Sequence, residues 1–168
     1  QHDFLLERVA EEFADRLAIV RRSFGTVLDL GAHHGVIGRR LAALPSIGTV
    51  LSLERSPALL ALCDPPRIAG DEELLPFAPE SLDLVVSALA LHWVNDLPGT
   101  LAQIRRSLKP DGLLLAAMLG GETLTELRQS WLAAEAEIEG GASPRVAPFA
   151  DLRDLGGLLQ RAGFALPV

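Results

Sequence analysis

The chain has 168 residues, of which 49% are apolar and 22% charged, and this is typical of one globular domain rather than a disordered chain. Its formal net charge of −7 disfavours nonspecific binding to nucleic acid or to an anionic membrane surface. No apolar run approaches the roughly 18 residues that cross a bilayer, so we predict neither a membrane span nor a nucleic-acid partner. The single cysteine, Cys63, excludes an internal disulfide and a multi-cysteine zinc site.

The predicted elements alternate in type along the chain. Helical spacing of apolar residues predicts an amphipathic helix over residues 3–20. Short apolar runs predict five strands, at residues 27–30, 49–53, 67–69, 82–88 and 113–118. Further helices are predicted at residues 37–44, 56–64, 97–108, 124–138 and 152–162. Loops are expected at 70–80 and 139–148, a turn at 109–112, and the beginning of a sixth strand at Gly163-Phe164.

This alternation predicts an α/β fold, a Rossmann-like, doubly wound and mostly parallel sheet with helices on both faces. The strands are nearly continuous apolar runs, which is typical of strands buried on both sides. In such a sheet, ligands bind at the carboxyl ends of the strands, near the point where the strand order reverses. The loops that follow the strands therefore hold the candidate functional residues.

The loop after the first strand reads Asp29-Leu30-Gly31-Ala32-His33-His34-Gly35. Its two glycines permit a tight turn, with the backbone close to a ligand or simply with a sharp change of direction. The loop is not the dinucleotide fingerprint, because that motif would need glycine where His33 and Val36 stand.

The acid before the turn indicates the charge of the ligand. Asp29 would repel a pyrophosphate but would favour a cationic amine or a sulfonium, so we predict a ligand that carries positive charge. The alternative is that Asp29 orients the loop by accepting backbone N–H groups.

Two further acids follow the next strands. Glu54 ends the second strand and could accept hydrogen bonds from both hydroxyls of a ribose, or could simply lie near a helix N-terminus. Gly70-Asp71-Glu72 follows the third strand, and a carboxylate there could accept from an exocyclic amine. Together the turn and the acids predict a nucleoside pocket without phosphate contacts.

These segments resemble the class I S-adenosylmethionine-dependent methyltransferases. The loop 29–35 stands where that family has its acid-x-Gly-x-Gly-x-Gly loop, Glu54 matches the ribose-binding acid, and segments 70–77, 81–87 and 108–112 match further family motifs. The resemblance implies S-adenosylmethionine as cofactor. The cofactor-binding residues that it implies are Asp29, Gly31, Ala32, His33, Gly35, Glu54, Arg55, Asp71, Glu72, Ser87 and Leu89.

A narrower resemblance rests on segments 89–98, 119–128 and 139–149. Together they are similar to the mitochondrial complex I assembly-factor branch and its bacterial relatives, with the malonyl-carrier-protein methyltransferase of biotin synthesis as a cousin. This branch implies protein arginine hydroxylation as an alternative activity, with a complex I subunit as partner. The absence of a targeting segment predicts a cytoplasmic location in bacteria, whereas the mitochondrial relatives would lie in the matrix.

Two features depart from the family. His33 replaces the middle glycine of the first loop, and its side chain is expected to crowd the methionine end of the cofactor or to demand an altered backbone. The chain also ends at Val168, so we expect the antiparallel hairpin that finishes the family's sheet to be largely truncated.

We therefore predict a single methyltransferase-like domain over residues 1–168. It divides into an N-terminal helix region (1–24), a cofactor-binding core (25–120), and substrate-side helices with a partial C-terminal strand (121–168). The predicted activity is methyl transfer to an unidentified small-molecule or protein acceptor. The alternatives are arginine hydroxylation in complex I assembly and a non-catalytic assembly module.

The remaining candidates are polar or aromatic residues outside those motifs. His92 follows the fourth strand and is the candidate general base; alternatively it faces water while Trp93 packs under the next helix. Asp83 is predicted to be a structural acceptor, and Trp131 lies on an apolar stripe and is predicted to be core. No metal is predicted, because adjacent histidines, here at 33–34, rarely converge on one ion.

Overall fold

The structure is a computed structural model that describes residues 3–141, 143, 145–146 and 149–167. Within these residues the helices are α1 (Phe4–Ile19), α2 (Val36–Ala42), α3 (Pro57–Leu60), α4 (Leu97–Ser107), α5 (Thr125–Ile138) and α6 (Leu152–Arg161). The strands are β1 (Phe24–Leu30), β2 (Ile47–Glu54), β3 (Arg67–Ala69), β4 (Leu82–Ala88) and β5 (Leu108–Ala117). A 3₁₀ turn spans Leu91–Trp93.

The five strands form one parallel sheet in the order β3-β2-β1-β4-β5. Leu28 of β1 pairs with Leu51 on one side and with Val85 on the other. The chain runs outward from β1 in both directions, so the strand order reverses between β1 and β4. This confirms the predicted doubly wound parallel sheet and places its crevice at the carboxyl ends of those two strands.

Helices cover both faces of the sheet because successive side chains of each strand point to opposite faces. Val27 packs with α1 and α2, through residues such as Phe13 and Leu41. Leu28, the next residue, packs in a second cluster with Ile104 of α4 and, at its edge, with residues of α6. Each fully buried leucine or phenylalanine contributes roughly 1.5–3 kcal/mol of hydrophobic stabilisation.

Two helices begin at residue types that favour a helix N-terminus. Ser56 caps α3 by accepting the N–H of Leu59 at 3.4 Å, with Pro57 at the first helical position. Asp96 caps α4 by accepting the N–H of Gly99 at 2.9 Å. Helix α3 ends at Leu60, earlier than the prediction of 56–64.

The predicted turn at residues 109–112 lies within β5. Leu82 pairs with Leu108 and Leu84 pairs with Leu113, so β5 advances five residues while β4 advances two. The extra residues form a bulge, in which Asp111 has a φ of +59°. The turn-forming residues Lys109-Pro110-Asp111-Gly112 therefore lie inside the strand, where they interrupt its pairing with β4, and not before the strand begins.

The predicted sixth strand at Gly163-Phe164 was wrong, because residues 163–167 contain no strand. Gly163 has a φ of +90°, and the N–H of Phe164 returns to the carbonyl of Leu159 at 3.0 Å. These residues form a glycine C-cap of α6, with Phe164 packed on the apolar cluster beneath it.

Helix α5 is mostly exposed, and the prediction of Trp131 as a core residue was wrong: 46% of it is accessible. The predicted loop 139–148 lies partly outside the described residues, at 142, 144, 147 and 148, as do residues 1, 2 and 168. No helix in the described part of the chain is long and apolar enough to cross a membrane. The division into regions 1–24, 25–120 and 121–168 stays a prediction.

Candidate functional site

The turn after β1 brings the chain close to the segment that follows β4. Gly31 has a φ of +69°, and a Cβ atom built there would lie 2.3 Å from the Cβ of Ala90. The N–H groups of Gly31 and Ala32 both donate to the carbonyl of Leu53, at 3.0 and 2.9 Å. Only glycine meets both demands at position 31, the left-handed backbone and the missing side chain.

Asp29 is fully buried at the end of β1. One carboxylate oxygen accepts the N–H of Gly38 in α2 at 3.0 Å, whereas Oδ1 has no hydrogen-bond partner. Burial raises the pKa of Asp29 to about 7, although the Gly38 N–H lowers it, and the charge of Glu54 adds to the rise. Asp29 thus accepts a backbone N–H, as the second alternative from the sequence expects, and its contact with a ligand stays a prediction.

His33 keeps a backbone conformation that suits the glycine it replaces, and whether its side chain crowds the cofactor stays a prediction. Its φ of +51° is a left-handed backbone conformation that favours glycine. Its N–H donates to Glu54 Oε2 at 2.9 Å, and its ring Nε2 lies 3.1 Å from the carbonyl oxygen of Ala88, the last residue of β4. The imidazole therefore reaches from the β1 turn to the end of the neighbouring strand.

Glu54 is buried at the end of β2 and accepts two backbone N–H groups. Oε2 accepts from His33, and Oε1 accepts from Ser56 at 2.8 Å. Each carboxylate oxygen has two lone pairs, so each can accept one further hydrogen bond, as from the two hydroxyls of a ribose.

The segment after β3 adds further carboxylates. Asp71 Oδ1 accepts the N–H of Glu73 at 2.9 Å, and its Oδ2 lies 3.8 Å from the guanidinium of exposed Arg55. Glu72 is half-buried beside Gly31, with Oε1 3.2 Å from the position of a Cβ there. Burial raises the pKa of Glu72, and the negative charges of Glu54 and Asp71 add to the rise.

These groups line one open cleft of about 140 Å³ at the carboxyl ends of the strands. Its lining comprises His33, Glu54, Arg55, Asp71, Glu72, Glu73, Ala90, Trp93 and Val94. The structure thus brings three of the four predicted acids, Glu54, Asp71 and Glu72, to one place, whereas Asp29 is not in the lining. The cleft is smaller than the roughly 300–1,000 Å³ of typical small-molecule sites.

Six of the predicted cofactor-binding residues are not in the lining of this cleft, nor is the candidate base His92; the six are Asp29, Gly31, Ala32, Gly35, Ser87 and Leu89. The hydroxyl of Ser87 is buried and donates to the carbonyl of Leu30 at 2.9 Å, and the predicted part of Ser87 in cofactor binding stays a prediction. Ala32 is buried against Leu60 and Cys63. Leu89 has a φ of +56° and donates its N–H to the edge strand β5, at the carbonyl of Ala117.

The segment after β4 forms one wall of the cleft. Its structure does not match the alternative in which His92 faces water and Trp93 is packed. Trp93 is 69% exposed, whereas His92 is half-buried and its Nδ1 is buried without a partner among the described residues. Burial lowers the pKa of His92, and the nearby His33 lowers it further. The edge of the Phe149 ring lies against His92, with 5.9 Å between ring centres.

Glu73 was not among the predicted site residues, although it lies in the 70–77 motif. Its carboxylate accepts the backbone N–H and the side-chain amide of Asn95, both at 2.9 Å, and the N–H of Asp96 at 3.1 Å. The contacts with Asn95, followed by that with Asp96, lower the pKa of Glu73. This carboxylate therefore joins the segment after β3 to the segment after β4.

A second carboxylate organises the segment after α5. Glu135 is buried and accepts the N–H of Ser143 at 2.8 Å, its hydroxyl at 3.1 Å, and the guanidinium of Arg145. The Ser143 N–H, followed by Arg145, lowers the pKa of Glu135. Arg145 in turn lies over the ring of Trp131, 5.9 Å from its centre.

Asp83 is the structural acceptor that the sequence predicted. It accepts the N–H of Thr26 at 2.9 Å and both oxygens lie 3.0 Å from the ammonium of Lys109. Burial tends to raise the pKa of Asp83, but the Thr26 N–H and Lys109 outweigh it and hold the pKa below its usual value.

The two adjacent histidines point to different partners. His34 Nε2 lies 3.3 Å from Asp3 Oδ2 at the start of α1, whereas the ring of His33 bonds Ala88. Over the described residues, no three histidine, cysteine or acidic side chains group as a metal site requires.

Known proteins are similar to this chain over the same core. A family model described as "Methyltransferase domain" matches residues 28–116. Among solved structures, the chain is similar to an S-adenosylmethionine dependent methyltransferase from Mesorhizobium loti, with a TM-score of 0.69 and 21% identity, over 95% of this chain and 82% of that chain. This similarity shows the fold.

Curated relatives extend the similarity to almost the whole chain. It is 46% identical over 167 residues to "Arginine-hydroxylase NDUFAF5, mitochondrial" of Mus musculus, covering 96% of this chain and 48% of that protein. It is 34% identical to the malonyl-[acyl-carrier protein] O-methyltransferase of Gallionella capsiferriformans, covering 98% of this chain and 59% of that protein. The chain thus spans about half the length of the curated relatives it matches.

Proposed function

The chain belongs to the methyltransferase domain family, and on this premise we propose that it binds S-adenosylmethionine in the cleft and transfers its methyl group to an acceptor. The observation that carries the proposal is the convergence of Glu54, Asp71 and Glu72 beside a glycine turn.

The described residues fit the nucleoside half of this cofactor. We propose that the free lone pairs of Glu54 accept the ribose hydroxyls and that Asp71 accepts the adenine amine. Gly31 lets the backbone approach, since a side chain there would fill the space next to Ala90. The acidic lining favours the positive charge of the sulfonium.

When bound, the cofactor supplies an electrophilic methyl group, and a nucleophile that attacks in line leaves a neutral thioether. The residues around the cleft then contribute mainly alignment, which is worth roughly 7–11 kcal/mol in well-oriented reactions. We propose His92 as the general base for an acceptor that carries a proton. Its lowered pKa favours the neutral imidazole, the form that can accept a proton, and the buried Nδ1 would have to become accessible from the cleft for this role.

Calorimetric titration with S-adenosylmethionine tests this proposal. We expect the wild-type chain to bind, and Glu54→Gln to weaken binding about tenfold, because a charge-assisted hydrogen bond is lost. Glu11→Gln removes the same charge from an exposed site on α1 and is the control. Circular dichroism confirms that each variant is folded. A wild-type chain that binds neither S-adenosylmethionine nor its demethylated product would contradict the proposal.

A second candidate function is hydroxylation of an arginine in a complex I subunit. It is favoured by the 46% identity to a protein named as an arginine-hydroxylase. Hydroxylation inserts oxygen into a C–H bond and needs an oxidant, whereas methyl transfer needs only the sulfonium. Mass spectrometry of the partner subunit after incubation distinguishes an added oxygen from an added methylene, and finding neither would contradict both activities on that substrate.

A non-catalytic assembly role is the third candidate, and the small cleft next to His33 favours it. Under this hypothesis the wild-type chain binds no cofactor, and replacing His33 by glycine creates binding. The acceptor, the complex I partner and the predicted cytoplasmic location all stay proposals at this stage.

A further inference from the structure

The backbone N–H, the carbonyl and the ring Nε2 of His33 each have a partner in the structure. Its N–H donates to Glu54 at 2.9 Å, and its carbonyl lies 3.4 Å from the thiol of Cys63. Its Nε2 lies 3.1 Å from the carbonyl of Ala88. Because a carbonyl oxygen only accepts, Nε2 carries the proton and donates it. The ring is therefore held in a defined orientation.

This orientation places the ring at the crevice of the sheet. His33 belongs to the turn after β1, and Ala88 is the last residue of β4. These two strands are neighbours at the point where the strand order reverses, which is where parallel sheets bind their ligands. The His33–Ala88 bond therefore spans the opening between the strands, and about 140 Å³ of cleft is left.

The acids that we assign to the nucleoside lie on the far side of this bond. Glu54 follows β2, and Asp71 follows β3, so both belong to the half of the sheet that extends from β1 away from β4. The open volume of the cleft lies next to these two acids and next to Ala90 and Trp93, which follow β4. A nucleoside can reach these acids while the bond is intact, whereas a ligand with a longer tail needs the space that the ring takes.

We propose that His33 is a specificity-determining latch that sets how much of an adenosyl ligand the cleft accepts. With the ring on Ala88, the cleft takes the nucleoside part. The amino-acid tail enters only after the ring leaves Ala88. This inference rests on the proposed cofactor site and deepens it by assigning the length selectivity to one side chain.

The latch reduces the apparent affinity for the full-length ligand. A binding-competent state that is only partly populated weakens the observed affinity by the populated fraction. Breaking one intramolecular hydrogen bond corresponds to about a fivefold reduction of that fraction. Removing the ring is therefore expected to strengthen binding of the long ligand about fivefold or more, without effect on the short one.

Calorimetry with two ligands tests the latch. S-adenosylmethionine carries the amino-acid tail, and 5′-methylthioadenosine lacks it. In His33→Gly we expect the affinity ratio of the first ligand to the second to rise about fivefold. Glycine suits the left-handed backbone at this position, and His33→Asn is a second variant that tolerates the same conformation. His34→Ala is the matched control, since that ring contacts Asp3 instead of Ala88.

The outcomes separate the latch from the proposed function. A raised ratio in His33→Gly and His33→Asn, with an unchanged ratio in His34→Ala, supports the latch. An unchanged or lowered ratio in a chain that binds both ligands overturns the latch and leaves the proposed cofactor site standing. If neither ligand binds to the wild-type chain or to any variant, both the proposed function and the latch are wrong.

Discussion

The carboxylate of Asp29 accepts the N–H of Gly38 at 3.0 Å, and this contact fixes the end of β1 to the helix that follows the glycine turn. The second oxygen is buried without a partner, so the ionised form is poorly compensated. Because the ionised form is disfavoured, the pKa of Asp29 is raised to about 7, and the folded chain favours the protonated acid.

Asp29→Asn is therefore expected to stabilise the chain increasingly as the pH rises. The folded pKa is about 7 and the unfolded value 3.8, so between them the folded state holds one more proton than the unfolded state. Stability falls with rising pH in this window by about 1.4 kcal/mol per pH unit, and the asparagine variant lacks this loss.

The measurement is the free energy of unfolding in urea at several pH values between about 4 and about 8. Asp15→Asn, at an exposed position of α1, is the control for removing one charge. A difference between wild type and Asp29→Asn that stays constant across the window would contradict the assignment.

Two glycine-to-alanine substitutions should have opposite effects on stability. Gly31→Ala places a methyl group 2.3 Å from the side chain of Ala90 at a φ of +69°, and should cost about 2 kcal/mol or more. Gly156 lies within α6 and has open space at its Cβ position, so Gly156→Ala should stabilise by about 0.5–1 kcal/mol. Thermal unfolding of the two variants checks both signs, and a shift in the same direction would be inconsistent with the turn geometry.

Lys109→Met should destabilise the chain by about 1 kcal/mol, because it removes one partner of the partly buried Asp83 carboxylate. The lowered pKa of Asp83 means that its contribution is present above the unfolded value of 3.8 and is lost as the pH falls through the folded pKa. The variant should therefore differ from wild type least at acidic pH. Equal destabilisation at all pH values would argue against an electrostatic role for the pair.

Glu135→Gln should release the segment after α5 without unfolding the sheet. The amide keeps the shape of the side chain but loses the charge that Arg145 and Ser143 contact. Hydrogen exchange is expected to speed up at the Ser143 amide and to stay unchanged in β1 and β4. Glu137→Gln, at an exposed position of the same helix, is the control, and equal exchange in both variants would show that Glu135 has no such role.

The sequence predicts the part of the fold that depends on strand order. Apolar runs locate β1 and β4, and the rule for parallel sheets places the residues that follow them at one edge. Glu54 ends β2, whereas Asp71 and Glu72 follow β3, and all three line one cleft because the carboxyl ends of parallel strands share one edge of the sheet. Their roles in binding stay predictions.

Other features depend on contacts that no local pattern reports. Ser87 lies in a strand that is buried on both sides, so the sequence contains no alternation to show that its hydroxyl faces β1. Trp131 shares a helical stripe with other apolar residues, but a stripe predicts a face and not the partner that covers it. Gly163-Phe164 has the composition of a strand start, and only its hydrogen bonds to α6 identify it as a helix cap.

The Glu73 carboxylate has a mechanical consequence for the cleft. Because it accepts the N–H groups of Asn95 and Asp96, it links the segment after β3 to the segment after β4. A movement of the loop that carries Asp71 would therefore strain the hydrogen bonds to Asn95 and Asp96. The two walls of the cleft are thus tied together by a side chain that itself lines the cleft.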